Sequence, residues 1–190
     1  MRCARMFALV AATAVAVPLV RSAVGQAPEA PPTSPATKEH EWLKQFLGEW
    51  ESEAEGSMGP DEPPTKCKGT MSCRALGDLW IVNSSRGEAM GVAVEAQQTL
   101  GYDPKKKKYV GTWVDSMFNH MWLYEGSLDA AGKTLTLNAD GPDFADPDRT
   151  VKYRDVYEFQ SPDRFKIRSE MQGPDGAWIT FMQGDVRRTK

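Results

Sequence analysis

The sequence predicts an all-β fold: a single antiparallel β-barrel of about nine or ten strands, entered through a short N-terminal helix. Three observations predict it. An amphipathic segment, Glu39 to Phe46, runs into Leu47-Gly48-Glu49-Trp50. After Trp50 the apolar pattern repeats every two residues, and no helical period of any length follows Gly48. Short strand-like runs alternate with turn signals to the end of the chain. Closing such a sheet on itself removes its sticky edges and can leave a central cavity.

The first residues read as a leader. Arg2 and Arg5 form a basic start, Met6 to Val20 is rich in alanine and valine, and Ala23-Val24-Gly25 offers the small residues a signal peptidase reads. Residues 1–25 are therefore expected to be a secretory signal peptide, with a membrane anchor as the alternative. The apolar run, about 15 residues, falls short of the roughly 20 that a spanning helix needs. The expected destination is the periplasm or the medium, without stable membrane insertion. Loss of Arg2, Arg5 and Arg21, with no acid lost, would take the net charge from −3 to −6. A mildly acidic chain argues against nucleic acid as a partner. Lys105 to Lys108, the one strong basic run, follows Asp103-Pro104 and reads as a solvated hairpin turn.

Residues 26–38 hold four prolines among small polar residues and read as a flexible linker. The barrel domain is expected over 39–190. His40, Leu43, Phe46 and Leu47 fall on one face of the opening helix, which must end by Gly48. The first strand carries Trp50, whose indole is expected to pack across the barrel floor. The second is the clearest: from Thr65 to Leu76, Cys67, Gly69, Met71, Cys73 and Ala75 share one face, while lysines, serine, threonine and arginine share the other. Cys67 and Cys73 on that one strand would lie roughly 20 Å apart, too far for a disulfide unless the strand bends at Gly69. Further strands are expected near 79–86, 92–102, 108–115, 120–127, 133–139, 150–160, 164–172 and 177–188. Ser85-Arg86-Gly87, Asp103-Pro104, Asp129 to Gly132, Ser161-Pro162-Asp163 and Gly173 to Gly176 are the turn signals expected between them.

Phe46-Leu47-Gly48-Glu49-Trp50, Gly69, Leu76-Gly77-Asp78-Leu79-Trp80, Gly101-Tyr102-Asp103, Trp113-Val114-Asp115-Ser116-Met117, Glu125-Gly126, Arg154-Asp155 and Asp175-Gly176-Ala177-Trp178 stand in this order along the chain. As a set they resemble the bacterial domain of unknown function DUF1579, over about Glu39 to Arg188. The resemblance implies a lipocalin-like or calycin-like barrel and brings no catalytic residues with it. Leu76-Gly77-Asp78 departs from the paired glycine the family often shows there, which bears on the turn alone. Leu47-Gly48-Glu49-Trp50 is also similar to the opening of nitrobindin-like haem barrels. Those ligate iron through a histidine on a late strand, and this chain has none after His120. No cofactor is expected.

A barrel lumen with aromatic walls and a few fixed polar groups is the usual makeup of a ligand pocket. Trp80, Trp113, Asp115 and Trp122 are the expected wall, with Arg154 as a polar anchor, for a small and largely apolar molecule. Asp115 has a second reading, as a cap bonding the backbone N–H groups of its loop. On the strand through 151–159, alternation puts Asp155 inside and Arg154 outside, where an exposed cross-strand ion pair would suit it. Glu170 is expected to be solvated. His120 stands as a candidate base, and Asp140 to Asp148 as an acidic loop without the ligand spacing of a calcium site. No zinc-ligand spacing, nucleophile motif or convergent carboxylate pair is legible, so binding is the first expectation. An enzyme using Asp115 or His120, or a filled barrel acting through its surface, are the alternatives.

Overall fold

A computed structural model describes residues 34–57, 63–89 and 91–190. The leader and most of the linker lie outside the described residues. Within Pro35–Lys190 the chain opens with α1 (Lys38–Leu43), continues through a 3-10 turn (Lys44–Phe46), and then forms ten strands. These are β1 (Gly48–Gly56), β2 (Thr65–Leu76), β3 (Trp80–Ala89), β4 (Val92–Asp103), β5 (Lys108–Asp115), β6 (Trp122–Leu128), β7 (Thr134–Pro142), β8 (Thr150–Ser161), β9 (Arg164–Gln172) and β10 (Trp178–Arg188). Each pairs antiparallel with the next, and β10 returns to β1, so the sheet closes as an up-and-down barrel. Among the described residues no helix is long and apolar enough to cross a membrane.

Period-two alternation decides what faces the interior. On β1 the four glutamates, Glu49 to Glu55, face water, while Trp50 faces inward. On β2 both Cys67 and Cys73 are buried free thiols. Gly69 does not break that strand. It stays in register between Ser52 and Gly87. Burial pushes the Cys73 thiol up to about 12, which leaves it inert as a nucleophile. The lysine run forms the β4–β5 turn, where the Asp103 carboxylate accepts from the backbone N–H groups of Lys105 and Lys106.

The helical segment closes one end. Leu43 and Phe46 are 1% and 2% exposed, and the Phe46 ring lies 5.0 Å from Phe159, 5.4 Å from Tyr157 and 5.6 Å from Phe165. The Trp42 indole donates to the carbonyl of Gly132, pinning the plug to the β6–β7 turn. Trp50 crosses the floor as expected. Its indole donates to the carbonyl of Phe46 at 2.7 Å, and the Arg188 guanidinium lies 4.1 Å over its ring. Gly48 has φ +114°, and a Cβ there would meet the Arg188 guanidinium and the Lys190 carbonyl, both at 2.7 Å. Only glycine allows the chain to turn from plug to floor so close to the C-terminus.

Candidate functional site

Above this aromatic floor the barrel is crossed by a layer of polar side chains. Asn83 and Gln98 are register partners on β3 and β4, and both point inward. Gln98 donates to the Tyr157 hydroxyl at 2.9 Å. Two residues away on the same face of β8, Asp155 accepts from the Ser169 hydroxyl at 2.5 Å and from the Tyr124 hydroxyl. Asn83 turns its amide N–H toward the Met71 sulfur, and its carbonyl oxygen has no partner.

Between this layer and the open end lies a cavity of about 280 Å³. That is at the lower edge of the roughly 300–1,000 Å³ of small-molecule sites. Its walls are mostly apolar, and they include Trp113, Asp115 and Trp122, three of the five residues expected from the sequence. A ring of aromatics gathers at the mouth. Phe118, from the β5–β6 connection, stacks on Phe144, from the β7–β8 connection, at 5.7 Å. Phe144 in turn meets Phe181 of β10 at 5.2 Å and Tyr153 at 5.7 Å.

Asp115 does both things the sequence allowed. It lines the cavity, and its carboxylate accepts from the N–H groups of Met117 (2.8 Å) and Phe118 (3.0 Å) and from the Trp113 indole (2.9 Å). These three bonds hold the mouth loop and one wall. Asp143 serves the opposite loop in the same way: buried, it accepts from the Ala145 N–H at 2.8 Å and pairs with Arg149. The acidic loop thus uses its central carboxylate internally. Among the described residues no group of side chains is arranged to hold a metal ion.

Trp80 and Arg154 stand elsewhere. Trp80 lies on the outer face of β3, 39% exposed, with its ring over Gly101, where a Cβ would come within 2.4 Å of it. The strand begins at Trp80, and inward alternation starts at Ile81, so the indole covers the outside of the barrel. Arg154 is on the outer face of β8. It pairs with Glu170, its register partner on β9, and lies 4.2 Å from the Trp178 ring. The cross-strand ion pair is the reading that holds for Arg154. Glu170 corrects an expectation. It is 5% exposed, not solvated, because Arg154, Arg168 (3.2 Å) and the Thr180 hydroxyl (3.3 Å) replace its water. These bonds hold its carboxyl below the usual range against the opposing pull of burial. His120 sits at the rim, against Trp122 at 4.9 Å and bonded to the Asp140 carbonyl. His40 is buried in α1, its Nδ1 accepting from the Thr37 N–H at 3.0 Å.

Sequence reasoning placed Asp155 inside but did not see its partners. Tyr124 and Ser169 come from β6 and β9, far apart in sequence, and only closure of the sheet brings them to it. Burial raises the proton affinity of Asp155, and the two hydroxyls offset part of that rise. Burial and the Asp155 charge push Tyr124 well above its ordinary range. A carboxyl whose folded pKa lies above the unfolded value binds more protons when folded. Stability therefore falls as pH rises from about 3.8 through the raised value, and stays lower above it. Asp155→Asn is expected to be more stable than the parent near pH 7, with the gain shrinking toward pH 4. Urea melts at both pH values check this, and parallel curves for the two proteins would refute it.

A wider hollow of about 760 Å³ lies on the outside, over β1, β2, β8, β9 and β10. It is bordered by charged side chains that pair among themselves, such as Lys68 with Glu53 at 3.5 Å. Open and charged, it is a solvated saddle of the sheet.

Residues 35–188 match the family described as protein of unknown function DUF1579, and the chain belongs to that family. No curated protein matches it. Among solved structures it is similar to the S-type phycobiliprotein lyase CPES from Guillardia theta, at 14% identity and TM-score 0.56, covering 80% of this chain and 93% of that one. It is also similar to Rv2717c from M. tuberculosis, at 11% identity and TM-score 0.59, covering 82% of this chain and all of that one. At such identities the likeness is one of fold.

Proposed function

We propose that this member of the DUF1579 family is an exported, non-enzymatic binding protein that carries a small, largely apolar molecule in its barrel. The observation that carries the reading is the lumen itself. A barrel of this size fills easily with side chains, yet here about 280 Å³ stays open between the polar layer and the aromatic mouth. Leaving apolar walls without contact atoms costs stability, and an occupant recovers that loss. A phycobiliprotein lyase shares this fold, and a barrel that holds a small molecule is compatible with such a neighbour. Export rests on the leader-like residues 1–25, which also favour the periplasm or the medium as destination.

Native mass spectrometry of the protein purified from an exporting host tests the reading. Extra mass of a few hundred daltons, lost on denaturation, is the expected result. A bare mass, together with no change in tryptophan emission on exposure to a panel of small apolar molecules, would overturn it. A Soret band in the absorbance spectrum would replace the apolar occupant with haem.

A second reading, an enzyme acting on the bound molecule, is favoured by the Asp155–Tyr124 pair, two coupled acids of raised proton affinity facing the lumen. The same spectra separate the two. A carrier returns its occupant with unchanged mass, and an enzyme does not.

A further inference from the structure

The charge inventory of the lumen is one-sided. Three carboxylates line or border it, Asp115 and Asp155 inside and Glu88 at its exposed edge. No cation among the described residues answers them from inside. Lys68 and Arg86 border the cavity, but their side chains are 73% and 78% exposed and turned to Glu53 and Glu95 on the outer face. Arg154 and Arg168 are outside with Glu170. The lumen also holds open hydrogen-bond acceptors. Asp115 is occupied by three N–H donors. Each Asp155 oxygen accepts one hydroxyl and keeps a lone pair free. Asn83, 5% exposed, leaves its carbonyl oxygen unpaired in the same cavity wall. Both sites are acceptors, and the second amide N–H of Asn83 and the O–H of Tyr157 are the donors beside them.

We propose that the lumen selects an amine: a small molecule whose apolar body lies among the aromatic rings and whose protonated nitrogen is met by Asp155, with the Asn83 carbonyl oxygen as a second acceptor. The proposal rests on the small-molecule reading above and narrows its ligand class. An ammonium group supplies the positive charge that the site lacks, with donors for its open acceptors. Inside a water-poor cavity its attraction to Asp155 is several times what it would be in bulk water. The faces of Trp113, Trp122 and Tyr124 add a favourable field for a cation. An anionic headgroup, such as a fatty-acid carboxylate, meets the reverse: a like charge at Asp155 and no arginine to pair with.

Three matched probes test this on the full protein: 4-phenylbutylamine, 4-phenylbutan-1-ol and 4-phenylbutanoate, titrated near pH 7 by calorimetry and tryptophan fluorescence. The amine is expected to bind most tightly, about 30-fold or more over the carboxylate, with the alcohol between. Asp155→Asn, which keeps the shape of the site, is expected to bring amine and alcohol within about threefold of each other while the alcohol's own affinity holds. A carboxylate that equals or beats the amine in the parent protein overturns the proposal, and so does a preference that survives in Asp155→Asn. Binding of all three without order sinks the amine and leaves a generic apolar carrier. Binding of none removes the carrier and the amine together.

Discussion

Ala96→Trp is expected to cut lumen binding by roughly 100-fold, equivalent to about 2.8 kcal/mol, without unfolding the barrel. Ala96 sits on the inward face of β4, opposite Asp115 of β5, and forms part of the cavity wall. An indole grown from that position enters a space of about 280 Å³ and competes with any occupant for it. The effect on stability separates an open lumen from a closed one. Overpacking a filled core costs about 1–3 kcal/mol, whereas placing apolar atoms in an open apolar space is neutral or favourable. Calorimetric titration with the tightest available probe, beside a urea melt, gives both numbers. Full affinity in the variant would place the ligand somewhere other than the lumen. A loss of stability above about 2 kcal/mol would mean that the space is not available in solution.

Arg188→Ala is expected to cost about 3 kcal/mol of folding stability while leaving the lumen chemistry untouched. This one side chain near the end of β10 joins three segments. Its Nε donates to Asp163 in the β8–β9 turn at 2.9 Å, and its Nη2 donates to the carbonyls of Pro162 (2.8 Å) and Gln45 (3.0 Å). Nη1 reaches the carbonyl of Leu47, and the guanidinium plane covers Trp50 at 4.1 Å. Truncation leaves the carbonyls at the end of the plug without a donor and uncovers the floor tryptophan. Arg188→Lys keeps the charge but not the planar fork, and is expected to recover less than half of the loss. Guanidinium melts of the three proteins decide it. A change within about 0.5 kcal/mol for Arg188→Ala would mean that the plug is held by its apolar face alone.

The two variants act at opposite ends of the barrel, and the difference in what they disturb reflects how the molecule is divided. The plug end is a continuous aromatic core, with Phe46 edge-to-face against Phe159 and Phe165, and Trp50 edge-to-face against Phe165. The mouth end is aromatic too, but its rings come from two connections and two strands, and a buried or half-buried carboxylate anchors each connection, Asp115 in one and Asp143 in the other. Stability is concentrated where the plug, the floor and the end of β10 meet, and the open volume lies toward the mouth.

Much of this was legible from the chain alone. The barrel, its ten strands and its opening helix follow from local rules: a period of two, turn residues between the runs, and a glycine placed where the chain must turn sharply. The inward direction of Asp155 and the outward direction of Arg154 follow from the same alternation. The face of each strand that a residue occupies can thus be read from the chain alone. Which inward residues meet depends on how the barrel closes. Trp80 has the composition of a wall residue, yet it lies outside because β3 begins at that position and its ring has Gly101 to cover. Glu170 is buried because two arginines from β8 and β9 happen to converge on it. Asp155 gains Tyr124 and Ser169 only when β6, β8 and β9 curve around a common axis. Alternation is a property of one strand and needs only its own residues. The depth of a side chain in the barrel, its partners and the space left beside it depend on the register and curvature of all ten strands at once, and no single stretch of sequence encodes those.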